Sequence, residues 1–270
     1  MRKQTNVTNV IVFDVDNTLI RGNLTFFFLK CLVREKFYFF RTCFILLIRG
    51  AILLFRQLPQ MTNDVMLESG SGNIYHLDEN ICRTIKKFYQ ALFETLKTLD
   101  LLGKKLQKKA HSIFSHSFFR THLYTQGFHK IKHHLRNKNT VVVLLSGSVQ
   151  ELLDPLFEKL CEQLDEENLA WKKRFFIQGT ILEDNKVQPC VGSGKNRFLK
   201  TLLRREGYDH YTLQFIYSDN SFMADLPLLI EAKHGGALIS KKNNLYQQLP
   251  KKLLASFTFL PEWNRSPLQP

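Results

Sequence analysis

The sequence predicts an α/β protein: a parallel sheet with helices on both faces, opened by a long helical insertion. Three observations predict it. Four short apolar runs, Val10–Phe13, Val141–Leu145, Phe215–Tyr217 and Ala237–Ile239, are rich in β-branched residues and do not alternate with polar ones. Strands covered on both faces look like this. Each run also ends on a carboxylate or hydroxyl, at Asp14, Ser146, Ser218-Asp219 and Ser240. Ligands of such sheets sit beyond the carboxyl ends of the strands, so the regularity points to a site. Finally, runs of helical spacing follow the strands.

The first run is four residues long and passes directly into acidic residues, so nothing resembles a cleavable leader. Residues 24–57 are strongly apolar and aromatic. Residues 61–80 are polar, with Ser69-Gly70-Ser71-Gly72-Asn73, and are expected to form a loop. Residues 81–136 read as helical and basic. The stretch from 21 to 120 is therefore expected to be an inserted helical cap, and residues 1–20 and 121–270 the core.

After Ser146-Gly147, the residues Val149, Leu152, Leu153, Leu156, Phe157, Leu160 and Leu164 recur at helical spacing. Ser148 with Glu151 has the form of a capping box, and Asp154-Pro155 offers a restart of the helix as N-cap and N1. Ser146 and Gly147 are then expected at or just before a helix N-terminus, where backbone N–H groups favour an anion. A second helix is expected from about Lys195 to Arg205, with Phe198, Leu199, Leu202 and Leu203 inward and Gly207 as its stop. The tail from about Lys241 is expected to pack loosely.

The formal net charge is +14. A charge that size attracts anions, whether nucleic acid, an acidic membrane surface or phosphorylated metabolites. No recognised nucleic-acid-binding module accompanies it, so no specific nucleic acid is expected. The five cysteines, Cys31, Cys43, Cys82, Cys161 and Cys190, have no metal-like spacing and read as reduced thiols of a cytosolic protein.

Asp14-Val15-Asp16-Asn17-Thr18 places two carboxylates two residues apart at a strand end. Alternation along an extended chain would send both to one face. Phosphoryl transfer needs positive charge around a dianion, an in-line nucleophile and a proton donor for the leaving oxygen. A carboxylate can serve as nucleophile through an aspartyl-phosphate. Ser146, after a buried strand and before a glycine and a helix, makes a plausible phosphate cradle. Lys195, after Gly192-Ser193-Gly194, is placed to neutralise a phosphate. Asp219 and Asp225 bracket a polar turn and suit magnesium, which takes few carboxylates plus waters.

The order and spacing of these four elements resemble the signature motifs of the haloacid dehalogenase superfamily: Asp14–Leu19, Ser146, Lys195 and the Asp219 region. Ser146-Gly147-Ser148 with Pro155, Cys190-Val191-Gly192-Ser193-Gly194-Lys195 and Asp225-Leu226-Pro227-Leu228-Leu229 resemble its subfamily IB, and within it the phosphatidylglycerophosphatase C-type proteins. The resemblance implies a Rossmann-like core and a magnesium-dependent phosphatase. Asp14 would attack phosphorus. Asp16 would protonate the leaving group and then activate water. Ser146, the Gly147 amide and Lys195 would hold the phosphoryl group, and Mg2+ would sit between Asp14, the Asp16 carbonyl and Asp219. The superfamily's last motif usually carries its two acids four residues apart; here Asp219 and Asp225 are six apart. Asp219 follows the strand immediately and is the preferred ligand, with Asp225 as the second candidate.

Phosphoserine phosphatases carry a glutamate soon after the first motif, and Ile20–Phe28 contains no carboxylate. In residues 24–57, Arg34, Arg41, Arg49 and Arg56 fall within one narrow helical arc, with Phe, Leu and Ile around most of the remainder. That pattern fits a helix lying in a membrane interface with arginines at phosphate level. It also fits a buried cap helix whose arginines line the site mouth. The aromatic content favours the membrane and, with it, a phospholipid headgroup phosphate such as that of phosphatidylglycerophosphate. The expected location is the cytoplasm, peripheral on the inner face of the cell membrane. Two alternatives remain: a soluble small-metabolite phosphatase, and a non-catalytic membrane- or partner-binding module of the same fold. His129 and His133 share a helix face at i, i+4, but no carboxylate joins them at a zinc-motif spacing, and a solvated basic face is the simpler reading.

Overall fold

The computed structural model describes residues 8–35, 73–164, 169–183, 186–219, 222–238 and 257–259. Seven strands form one sheet: β1 (Thr8–Asp14), β2 (Thr140–Val149), β3 (Phe175–Glu183), β4 (Lys186–Gln188), β5 (Tyr211–Ser218), β6 (Gly236–Leu238) and β7 (Phe257–Phe259). Their order across the sheet is β4-β3-β2-β1-β5-β6-β7, with β1 at the centre. All neighbours are parallel except β3 and β4, which are antiparallel. The α/β parallel sheet of the sequence reading is therefore present.

The non-alternating runs are explained by the two faces. Ile11 and Phe13 of β1 and Val142 and Leu144 of β2 enter one apolar cluster, whereas Val10, Val12, Val141, Val143 and Leu145 enter another. Period-2 side chains are apolar on both sides because both sides are buried. The second cluster is closed by helices α7 (Ser193–Arg205) and α8 (Phe222–Glu231), through Phe198, Leu199, Leu202, Leu226 and Leu229. The first is closed by α1 (Leu24–Glu35), α2 (Asn73–Thr98), α3 (Lys104–Ile113), α4 (His116–His122), α5 (Thr125–Arg136) and α6 (Gln150–Leu164).

In α2, Tyr89, Leu92, Phe93 and Leu96 are buried at helical spacing, and in α1 Leu24, Phe28, Leu29 and Leu32. These side chains belong to the same cluster as the sheet face. The apolar face of α1, the first part of the expected interfacial helix, is thus used inside the protein. Residues 36–57 of that expected helix lie outside the described residues. So do Cys43 and most of the expected loop 61–80, but α2 begins at Asn73, so the end of that stretch is helical.

Further corrections concern β2 and its surroundings. The strand runs on to Val149 and α6 begins at Gln150, so Ser146 and Gly147 lie in the strand and not at a helix N-terminus. Pro155 sits inside an unbroken α6, where the burial of Leu152, Leu153, Leu156 and Leu160 outweighs one lost backbone bond. Strands β3, β4 and β7 carried no readable signal. β7 pairs with β6, so part of the tail belongs to the sheet.

Candidate active site

The carboxyl ends of β1, β2 and β5 meet at the centre of the sheet. After Asp14 the chain folds back sharply: the Val15 carbonyl accepts the N–H groups of Thr18, Leu19 and Ile20. Asn17 adopts a positive φ of 59°, which asparagine tolerates better than most residues. Its N–H donates to the Gly22 carbonyl, and its Oδ1 accepts the Gly22 N–H at 3.1 Å. The closed loop leaves both Asp14 and Asp16 buried.

The two carboxylates have different partners. Asp14 Oδ1 lies 2.6 Å from Lys195 Nζ, and Thr18 Oγ1 donates to Asp14 Oδ2 at 3.3 Å. Asp16 Oδ1 accepts the Leu24 N–H at 2.9 Å, at the start of α1, where a negative charge is favoured. Ser146 Oγ donates to Asp16 Oδ2 at 2.8 Å, and Ser148 Oγ lies 2.9 Å from the same oxygen. Burial pushes the Asp16 carboxyl above its ordinary range, against the Leu24, Ser146 and Ser148 hydrogen bonds that favour its charged form. Burial also drives Asp14 well upward, with Lys195 pulling the other way and Asp225 and Asp219 adding to the rise.

Lys195 comes from the first turn of α7. That turn can approach because residue 194 is glycine: a Cβ there would meet the Pro189 carbonyl oxygen at 2.4 Å. The Gly192 N–H donates to the Ala224 carbonyl at 2.7 Å and ties α7 to α8. Lys195 is buried between Asp14 and Asp225. Burial opposes its charge, but the two carboxylates overcome it and hold the ammonium above its usual range. Asp225, in the first turn of α8, also accepts from Ser218 Oγ at 2.7 Å. Asp219 follows β5 directly and is partly exposed.

Ligand oxygens of Asp14, Asp219 and Asp225 lie within 4.8 Å of one another. Three carboxylates facing one ammonium leave this pocket short of positive charge, and the converging donors are hard oxygens, which suit magnesium. The residues fit that ion. The Asp16 side chain is engaged elsewhere, with the serines and α1. His129 and His133 are both exposed on α5, and among the described residues only the three aspartates form a metal-like group.

All the residues singled out in the sequence, Asp14, Asp16, Ser146, Gly147, Lys195, Asp219 and Asp225, gather at these strand ends. The hydroxyl of Ser148, expected as a helix cap, is bonded to Asp16 instead, and one carboxylate oxygen of Glu151 is buried without a hydrogen-bond partner. Four residues escaped the sequence reading. Thr25 Oγ1 donates to Ser148 Oγ at 3.2 Å, behind Asp16. Tyr89 and Thr180 both donate to the Gly147 carbonyl, and Thr18 touches Asp14. Thr18 had a signal, its place in Asp14-Val15-Asp16-Asn17-Thr18; the other three had none.

Among solved structures, the chain resembles a protein of unknown function from Bordetella pertussis Tohama I, with a TM-score of 0.60, 13% identity, and 94% of this chain and 99% of that one covered. This likeness is one of fold. An apo phosphoserine phosphatase matches with a TM-score of 0.45 and 14% identity, over 93% of this chain and 100% of that one. A phosphoserine phosphohydrolase-like protein from Francisella tularensis subsp. tularensis SCHU S4 matches with a TM-score of 0.46 and 13% identity, over 93% and 94%. No curated protein sequence matches. A family model described as haloacid dehalogenase-like hydrolase matches residues 11–229, a span that contains every residue of the site. The chain belongs to the haloacid dehalogenase-like hydrolase family.

Proposed function

We propose that this hydrolase is a magnesium-dependent phosphomonoester phosphatase that works through an aspartyl-phosphate on Asp14. The observation that carries the reading is the pairing of two buried carboxylates in different electrostatic settings. Asp14 lies against Lys195, whereas Asp16 is hydrogen-bonded by hydroxyls and a helix N-terminus. Pairs of carboxyls in unlike environments are how a site divides nucleophile from acid.

In this mechanism an Asp14 oxygen attacks phosphorus while the bond to the leaving oxygen breaks. The leaving oxygen takes a proton from Asp16. Asp16, now ionised, takes a proton from water; the water oxygen attacks phosphorus, and the Asp14 carboxylate and inorganic phosphate are released. Ser146, the Gly147 amide and Lys195 hold the phosphoryl oxygens. Asp14, Asp219 and the Asp16 backbone carbonyl would hold magnesium, which supplies charge stabilisation to the phosphoryl group. Asp219, which follows β5 directly, is the preferred ligand, and Asp225, whose carboxylate oxygens join the same group, is the second candidate. Residues 1–20 and 121–270 form the catalytic core in this account, and 21–120 the cap.

The finer part of the proposal is the substrate: a phospholipid headgroup phosphate such as that of phosphatidylglycerophosphate, taken by a protein resting peripherally on the cytoplasmic face of an anionic membrane. The net charge of +14 and the arginine-bearing apolar stretch 37–55, which lies outside the described residues, support it. No described helix is long and apolar enough to cross a membrane. The burial of the apolar face of α1 is compatible with the second reading, a phosphatase for a small metabolite that needs no bilayer.

The test is magnesium-dependent phosphate release from phosphatidylglycerophosphate in vesicles, phosphoserine and a chromogenic phosphomonoester, with Asp14→Asn as control. Release lost in the variant supports the phosphatase, and the preferred substrate separates lipid from metabolite. No release from any substrate by the folded, magnesium-loaded protein would move the reading to a non-catalytic binding module.

A further inference from the structure

The Gly147–Ser148 peptide group is held from three directions. Its carbonyl oxygen accepts from Thr180 Oγ1 of β3 at 2.7 Å and from the Tyr89 hydroxyl of α2. Its N–H, on Ser148, donates to Ser146 Oγ at 2.9 Å. Ser146 Oγ in turn donates to Asp16 Oδ2 at 2.8 Å. A peptide group is rigid and planar, so its carbonyl and N–H turn together. Whatever fixes the carbonyl therefore fixes the acceptor side of Ser146, and through it the partner of Asp16.

Thr180 is itself anchored, since its Oγ1 accepts the Cys190 N–H at 3.1 Å. Tyr89 comes from a helix inserted between β1 and β2, 58 residues away in sequence from the carbonyl it meets. Its ring is buried, and the chain it touches is a glycine whose added Cβ would lie 3.6 Å from the hydroxyl. Burial raises the phenol, followed by the nearby charge of Asp16, which keeps it a donor at any working pH.

We propose that Tyr89 is a positioning residue of the phosphate-holding end of β2, by which α2 orients the Gly147–Ser148 peptide and thereby Ser146 and Asp16. The proposal rests on the phosphatase reading for its effect on rate, but not for its effect on structure. Tyr89→Phe keeps the ring and removes the one hydroxyl. The expected result is a fall in kcat on the order of tenfold, the size of one net hydrogen bond, with KM changed much less. The Ser148 amide should exchange its hydrogen faster in the variant, as read by NMR without substrate. Thr180→Val should act in the same direction, and the double variant should lose less than the product of the two single losses, because both act through one carbonyl.

Unchanged Ser148 exchange in a folded Tyr89→Phe protein would overturn the proposal. So would a loss confined to thermal stability with kcat intact. A wild-type protein inactive on every phosphomonoester would overturn the phosphatase reading alone, and the exchange experiment would still decide the positioning role.

Discussion

In the proposed mechanism Asp16 gives up a proton, and three hydrogen-bond donors surround its carboxylate. Its carboxylate accepts from Leu24 N–H, Ser146 and Ser148, and each of these favours the charged form against burial. Ser148→Ala removes one donor, so the Asp16 pKa should rise further. Activity that needs protonated Asp16 falls as pH rises through that pKa, so the alkaline limb of the kcat profile should move to higher pH in the variant. A pH–rate series on both proteins checks it; an unmoved limb would separate Asp16 from the acid step. The carboxylates and Lys195 were legible because their types and spacing are unusual together. Ser148 was legible only as a residue that has some role. A serine three positions before a glutamate looks like a helix cap, and its true partner, Asp16, is 132 residues away. Sequence spacing reports neighbours along the chain, and this contact is made by the sheet.

At the scale of elements, β3 is the instructive case. Its centre reads Gln178-Gly179-Thr180, which interrupts the apolar run and hid the strand. Those residues are polar or small because the start of α6 and the end of β2 cross there. The Gly179 N–H donates to Gln150 Oε1 at 2.7 Å, and Thr180 holds Gly147. A Cβ at Gly179 would meet the Ser148 carbonyl oxygen at 2.5 Å and Leu153 Cδ1 at 2.6 Å. Gly179→Ala should therefore destabilise the protein by about 1–3 kcal/mol, the usual range of overpacking, and should lower activity by displacing Ser148. Denaturant unfolding and a rate assay would read the two effects; full stability in the variant would mean that the strand yields. The stretches Val10–Phe13 of β1, Val141–Leu145 of β2 and Phe215–Tyr217 of β5 were legible for the opposite reason: no polar residue interrupts them.

For the whole molecule, the helices α1, α2 and α3 share one apolar cluster with a face of the sheet, so the inserted segment and the core are energetically joined. The chain as a whole carries a formal net charge of +14, while the site gathers Asp14, Asp219 and Asp225 around one lysine. A divalent ion bound there should stabilise the fold. Magnesium at a hundred times its dissociation constant should add about 2.7 kcal/mol by mass action, and Asp219→Asn should lose most of that gain. Thermal unfolding with magnesium and with chelator tests it, and equal melting temperatures would remove the metal from the account.

The proposed mechanism requires that Asp14 become phosphorylated. Brief incubation with a phosphate-labelled phosphomonoester and magnesium, followed by acid quench, should leave label on the protein that hydroxylamine releases, as an acyl phosphate requires. The label should be absent in Asp14→Asn and should accumulate in Asp16→Asn when the leaving group needs no proton, because water is then no longer activated. Turnover by the wild-type protein with no label on Asp14 in either background would contradict the account.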